Sequence, residues 1–466
     1  MIGRDEAFRL LSAALEASRA EQTEAVLDAE DVSYTRWNEN FIHQNLNRRT
    51  RTLTVRVIDG CRTGLAATNV LDEAGVRECV DRALAYARLQ PPRPQLADLP
   101  QPGAGGSGGD EGSGGAGSGR PVEASAAYVP ATADFSPTDR ADGCGEIIAA
   151  AQRRGLPSSG TFSTAQLEKA VANSHGVKAH HPSTKSFLRT IVTAPGDITG
   201  YSDRLTRDVR ELDYQAVAEE AISKATLFSE SRDLPAGRYD TVFEPVAFSD
   251  LIRFLGMLAF GAKAVQEGRS FMGPERGKKA MDEKVTIWDD GLDHRGLVTP
   301  FDAEGVPKRK VVFIDRGVVG DVVYDNETAA RDGVASTGHA SPHGRWARGP
   351  MPQNMFMAPG NTPADEILRT TRRGVLVTRF HYTHAPEPMR VVATGTTRDG
   401  TFLIEDGRIV ARLRNLRFTE SMITALANCD AVSREVRLTR DWWSTFESVL
   451  PTVRLRDFTF TGATTF

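Results

Sequence analysis

The chain has 466 residues, 40% hydrophobic and 25% charged, ordinary values for a globular protein and too long for a single core. A net charge of −4 and a pI near 6.2 give no electrostatic footprint for nucleic acid or for an anionic membrane surface. Four scattered cysteines, Cys61, Cys79, Cys144 and Cys429, form neither a CxxC pair nor a zinc spacing, which fits free thiols in a reducing compartment.

In chain order, Phe8, Leu11 and Leu15 share one face of an N-terminal helix. Arg4, Asp5, Glu6 and Arg9 interrupt the apolar run that a signal peptide needs. No stretch approaches the roughly 18 apolar residues of a membrane span. The expectation is a cytoplasmic protein with no membrane partner. Leu53, Val55 and Val57 alternate with Thr54 and Arg56 as a half-exposed strand, and Asp59-Gly60 is a turn signal. Leu71 to Leu89 reads as an amphipathic helix through Val76, Val80, Ala83 and Leu84.

The glycine-rich run from Gln101 to Pro121 contains fragments like GxGxxG. No strand precedes it and no helix opens from it, so it reads as a linker. Cys144 to Gly155 is a further helix. Two strands flank a turn at Asn173-Ser174-His175-Gly176, and a helix follows from Tyr214 to Leu227. The polar stretch Ser231 to Asp240, broken by Pro235 and Gly237, marks a boundary.

The second half is strand-rich. A hairpin is expected at Asp315-Arg316-Gly317, with Asp-Gly turns at Asp399-Gly400 and Asp406-Gly407. Helices are expected at Val246 to Val265 and Thr419 to Ala427. Antiparallel sheets with a few helices and no βαβ alternation indicate an α+β fold. The expected division is an N-terminal α+β domain at 1–235 and a strand-rich C-terminal domain at 236–466. The first carries a Gly/Ser-rich disordered insertion at about 101–127.

Few residues offer themselves for chemistry. No GxSxG elbow and no GxxxxGK[ST] cradle is present. His339 and His343 have i, i+4 spacing, but Gly338, Pro342 and Gly344 forbid a regular helix. His381 and His384 lie three apart on a strand, where side chains alternate, so they share a ligand only if the strand bulges. His180-His181 precedes a proline and reads as exposed. Glu244 stands alone between a strand and the apolar helix that opens at Pro245, where a proline costs no hydrogen bond. A carboxylate at a helix head meets the positive end of the helix dipole, which accounts for Glu244 without catalysis. A metalloprotease helix would add histidine ligands beside such a Glu, and none lies between Tyr239 and Phe271.

Several strings, in order, resemble one family. They are VRVIDGCRTGLAATN, VANSHGV, FDAEGVPKRKVVFIDRGVVGDVVYD, ASTGHASPHG, TRDGTFLIEDGRIV and NLRFTESM. The family is the TldD/PmbA metallopeptidases, also known historically as modulators of DNA gyrase. The resemblance implies a heterodimer that cuts unfolded peptides in a closed chamber. One subunit carries a His-Glu-x-x-x-His helix and a distal cysteine that bind zinc; the other, TldE (PmbA)-like, lacks them. In this chain the motif position reads Phe243-Glu244-Pro245-Val246-Ala247-Phe248, and the tail from Thr445 has no cysteine. The implied role is therefore the metal-free, TldE-like subunit, a pseudo-peptidase with Glu244 vestigial and no cofactor of its own. Its expected partners are a zinc-bearing TldD-like paralogue and an unfolded peptide. The competing expectation is an independent hydrolase with a relocated metal site at His339, His381 and His384, with Glu304 nearby.

Overall fold

The computed structural model describes residues 1–103, 127–342 and 349–464. Most of the expected Gly/Ser-rich insertion, and His343, lie outside the described residues. The first half of the chain builds a six-stranded antiparallel sheet in the order β3-β2-β1-β4-β5-β6. Its elements are α1 (Arg4–Ala17), β1 (Gln22–Asn38), β2 (Phe41–Asp59), β3 (Arg62–Thr68), α2 (Glu73–Leu89), α3 (Pro130–Ala133), α4 (Pro137–Arg153), β4 (Ser158–Asn173), β5 (Lys178–Ala194), β6 (Ile198–Thr206) and α5 (Tyr214–Thr226).

This sheet is a twofold repeat that the sequence reading missed. The unit α1-β1-β2-β3-α2 recurs as α4-β4-β5-β6-α5, and the two halves join along β1 and β4. One glycine device marks both halves. A Cβ on Gly64 of β3 would stand 1.9 Å from the Ala83 carbonyl oxygen of α2, and one on Gly200 of β6 would stand 2.1 Å from the Ala221 oxygen of α5. Each edge strand carries a glycine because a helix backbone packs directly on it. Leu53, Val55, Val57 and Val80 fill the core of the first half; Phe162, Leu188, Val192 and Val217 fill that of the second.

The second half builds a twelve-stranded sheet. Its elements are β7 (Ser231–Arg232), β8 (Gly237–Phe243), α6 (Pro245–Leu258), α7 (Ala262–Gln266), α8 (Met272–Glu275), β9 (Ile287–Asp289), β10 (Val311–Asp315), β11 (Val318–Val319), α9 (Asn326–Asp332), β12 (Asn354–Met357), α10 (Ala364–Arg369), β13 (Arg373–Glu387), β14 (Val392–Glu405), β15 (Arg408–Leu413), β16 (Leu416–Ser421), α11 (Met422–Ala427), β17 (Cys429–Arg440) and β18 (Glu447–Ala463). The fold is α+β, and this sheet is mixed rather than purely antiparallel: β8/β13, β12/β18 and β7/β15 run parallel. Although β7 precedes residue 236, it already pairs in the second sheet.

Local expectations needed three revisions. Asp399-Gly400 is not a hairpin turn. It lies inside β14, with Asp399 at φ 54° and Gly400 at φ 139°, where the register with β13 shifts between Val377 and Arg379. The long helix ends at Leu258, and the chain restarts in α7 after Gly261, where a Cβ would meet the Pro350 oxygen at 2.3 Å. Thr419 to Ser421 finishes β16, and only Met422–Ala427 is helical, capped by the Ser421 hydroxyl. Among the described residues no helix is long and apolar enough to cross a membrane.

Candidate functional site

The helix α6 organises the junction of the two sheets. Pro245 occupies its first turn, and Val246, Phe248, Leu251, Ile252, Phe254 and Leu255 are buried. Each such side chain contributes roughly 1.5–3 kcal/mol by leaving water. Two charged residues, Asp250 and Arg253, are buried on the same helix. Asp250 accepts the Trp442 N–H at 3.0 Å. Asp441 accepts the N–H groups of Trp443, Thr445 and Phe446 at 2.9, 2.8 and 2.7 Å. Arg253 Nη2 donates to Thr383 Oγ1 at 3.0 Å, and its Nε lies 3.5 Å from Asp441. Burial pushes Asp250 up to about 7 and also raises Asp441, while burial lowers Arg253. The pair thus fixes the 441–446 loop to the helix.

That loop borders a cleft of about 860 Å³ between the two sheets. Arg253 and Met257 of α6 face it, together with Asn354, Trp443 and Phe446 from the second half of the chain. Lys169, Lys185 and Arg207 face it from the first. Its walls are held together by polar ties. Lys185 meets Glu447 at 3.2 Å, Arg437 meets Asp203 at 3.1 Å, and His181 bonds the Val298 oxygen at 3.0 Å. Asp399, in its bulge, binds Arg379 and accepts from Thr199 Oγ1 at 2.6 Å across the same seam.

The residues singled out in the sequence lie elsewhere. Glu244 is the N-cap of α6, but its side chain makes no cap bond; it pairs with Lys224 Nζ at 2.7 Å. Glu244 thus stands at the helix head, and its carboxylate also forms an ion pair between the two sheets. Phe243 is 0% exposed and packs against Phe380 and Phe458, with ring centroids at 5.8 and 4.9 Å; Phe248 is 1% exposed in the same core. Neither side chain faces the cleft, so a zinc ion does not fit this motif position: two members are core phenylalanines and the third is held by Lys224.

The histidines do not assemble. His339 is fully buried, with Nε2 2.8 Å from Asp289 and Nδ1 2.8 Å from the Thr337 oxygen, so both nitrogens are engaged. Asp289 in turn accepts the N–H groups of Gln353 and Asn354, each at 2.7 Å, which anchors the start of β12. His381 packs edge-on against Trp442 at 5.9 Å, and burial followed by Arg398 and Arg379 lowers its pKa. The strand does bulge after it, at Tyr382 with φ 53°, and His384 is exposed beyond the bulge. His181, expected to be exposed, is buried on the Val298 oxygen. Glu304 is buried too; its Oε1 meets Arg56 at 2.9 Å, Oε2 accepts the Asn326 N–H at 3.0 Å, and burial pushes it up to about 8. Among the described residues no three His, Cys, Asp or Glu side chains converge to hold a metal ion.

Sequence reasoning passed over Arg253, Asp250, Met257 and Asp441. A signal existed: Asp250 and Arg253 are the only charged residues between Pro245 and Leu258, three apart on one helix face.

Comparison with known proteins places this architecture. Residues 131–227 match the PmbA/TldA metallopeptidase central domain and residues 236–462 the C-terminal domain. A metalloprotease of Methanothermobacter thermautotrophicus is 26% identical over 231 residues, 48% of this chain and 49% of that protein. Metalloprotease PmbA of Escherichia coli O157:H7 is 27% identical over 197 residues, 40% and 42% of the two chains. The chain spans about half the length of the curated relatives it matches. The crystal structure of TldE from Thermococcus kodakarensis superposes with a TM-score of 0.83 at 20% identity, covering 98% of this chain and 99% of that one. A Thermotoga maritima structure, described as a proposed modulator of a DNA gyrase, superposes with a TM-score of 0.79 at 19% identity, covering 97% and 99%. With both sheets, the ordered strings and two domain matches in agreement, the chain belongs to the PmbA/TldD metallopeptidase family.

Proposed function

We propose that this chain is the metal-free, TldE-like subunit of a two-subunit peptidase. In this reading the zinc sits in a TldD-like paralogue, and the cleft beside α6 contributes one wall of the chamber that receives an unfolded peptide. The observation that carries it is the state of the motif position. Phe243 and Phe248 are packed into the core, and Glu244 is committed to Lys224. A general base needs a free carboxylate within reach of its substrate, and a zinc site needs donors that converge. The relocated alternative draws no support from His339, whose ring nitrogens are both engaged, or from His381 and His384, which no third ligand joins among the described residues.

The test is co-expression with a family paralogue that carries the His-Glu-x-x-x-His helix. A stable complex with one zinc per pair, and peptide cleavage abolished by a chelator, is expected. The chain purified alone should bind no stoichiometric zinc and cut nothing. Chelator-sensitive cleavage by the isolated chain, or no association with the paralogue, overturns the proposal.

A further inference from the structure

The first sheet carries its helices on one face, and the second half of the chain covers only part of the other. Cross-strand neighbours share a face, so the pairing traces rows of side chains across it. One row runs Leu46, Tyr34, Ser163, Phe187, and the next runs Arg48, Val32, Ala165, Lys185. At the β5 end Phe187 lies under the Arg440 guanidinium at 3.5 Å, and Lys185 meets Glu447 at 3.2 Å. At the β2 end Leu46 is half-buried and Arg48 is exposed. The strand β3 pairs only with Leu53 to Asp59, so no strand among the described residues pairs with that edge of β2 from Phe41 to Thr52. The β1–β2 arm turns tightly at Glu39 and Asn40, with φ 49° and 62°, and Phe41 stands at its tip 70% exposed.

The internal repeat says what fits this open area. Val57 pairs with Gly64 as Val192 pairs with Gly200, and Thr23 pairs with Val57 as Ser158 pairs with Val192. Counting from these pairs, Leu46 holds the place of His181, and Tyr34 holds the place of Lys169. His181 is bonded to the Val298 oxygen of the second half at 3.0 Å, and Lys169 lines the cleft. The second half of the chain sits on one twin of the face and leaves the other open. We infer that the β1–β2 face, with the free edge of β2 and Phe41 at the tip, docks the second half of a family paralogue. This inference rests on the two-subunit reading above and names the surface that joins the subunits. One continuous sheet then floors the cleft and carries the partner, which closes the cleft from the β1 side. An unpaired strand edge offers its N–H and C=O groups to another chain, and a large exposed ring such as Phe41 supplies an anchor.

The experiment titrates the full chain with the paralogue that carries the His-Glu-x-x-x-His helix and reads the complex by mass photometry. Phe41→Asp with Leu46→Glu should weaken association at least tenfold. Leu89→Asp, at a comparably exposed apolar site at the end of α2, should leave it unchanged. A thermal melt of each free variant separates lost docking from lost folding. A second measurement keeps the arm intact. Cys61 is the one exposed cysteine, so a Cys61→Ser background leaves only buried thiols. In that background Leu46→Cys carrying a benzophenone should cross-link to the paralogue, with the joint mapping to the paralogue's second half. Unchanged association of the double variant, or a joint that is missing or lies in the paralogue's first half, overturns this inference and leaves the subunit role standing. No association of the parent chain with the paralogue overturns both, as does pairing of the arm with a second copy of this chain while the paralogue is present.

Discussion

Lys224 Nζ lies 2.7 Å from Glu244 Oε2, joining the last helix of the first sheet to the head of α6. The same ammonium holds Glu220 at 2.7 Å, and Glu220 also meets Arg204 at 2.9 Å. Burial alone would raise Glu220, but Lys224, Arg437 and Arg204 outweigh it and hold its carboxyl well below the usual range. Lys224→Met takes the ammonium away from Glu244, while Glu220 keeps Arg204 and Ser202. It should cost about 3–5 kcal/mol, the range for removing one partner from a buried ion pair. Glu244→Gln should cost distinctly less, because Lys224 retains Glu220. Urea unfolding of both variants checks the order; equal losses would refute it.

Asp250 gives the protein a pH dependence of definite sign. Its folded pKa, pushed up to about 7 by burial, exceeds the ordinary aspartate value of about 3.9. The folded state therefore keeps a proton that the unfolded chain releases. The contribution is fully present below about pH 4, is lost as pH rises through about 7, and stays lost above it. Asp250→Asn keeps an acceptor for the Trp442 N–H while removing the titration. The variant should gain on the parent as pH rises from 4 to 8, measured as the difference in urea midpoint. A constant difference across that range would show that Asp250 does not titrate there.

The paired glycines predict matching defects. Gly64→Ala and Gly200→Ala each drive a methyl into a helix backbone that cannot move away as a side chain could. Each should lose about 1–3 kcal/mol or more. Gly145→Ala, in α4 with no atom within 4 Å of the added methyl, should instead gain up to about 1 kcal/mol. Thermal denaturation of the three variants compares them directly.

Restoring histidines at the motif position should not restore a metal. Phe243→His with Phe248→His puts two imidazoles into an apolar core, next to a carboxylate already held by Lys224. The expected outcome is a destabilised protein with no stoichiometric zinc by elemental analysis. One tightly bound zinc per chain would contradict this geometry.

Local structure was legible where neighbours in sequence decide it. The turn at Asn173–Gly176, the helix Tyr214–Thr226 and the hairpin at Asp315–Gly317 all follow from apolar period and turn chemistry. Asp399-Gly400 misled because a left-handed Asp followed by Gly suits a bulge as well as a turn, and only the distant Arg379 and Thr199 decide between them. The cleft was illegible for a similar reason: Lys169 and Arg253 become neighbours through packing, not spacing. The family resemblance was legible in ordered strings, but the side chains at 243 and 248 could be placed in the core only by seeing what covers them.

The last strand, β18, hydrogen-bonds to β8, β12, β16 and β17, and so sits at the centre of the second sheet. During synthesis the first sheet has all its strands once β6 has emerged, whereas the second cannot close until β18 has left the ribosome. Until then Phe243 lacks Phe458, and the apolar face of α6 lacks its cover. A nascent chain stopped before Glu447 should therefore show a protease-resistant first half and a second half degraded or held by chaperones, read out by limited proteolysis of stalled ribosome complexes.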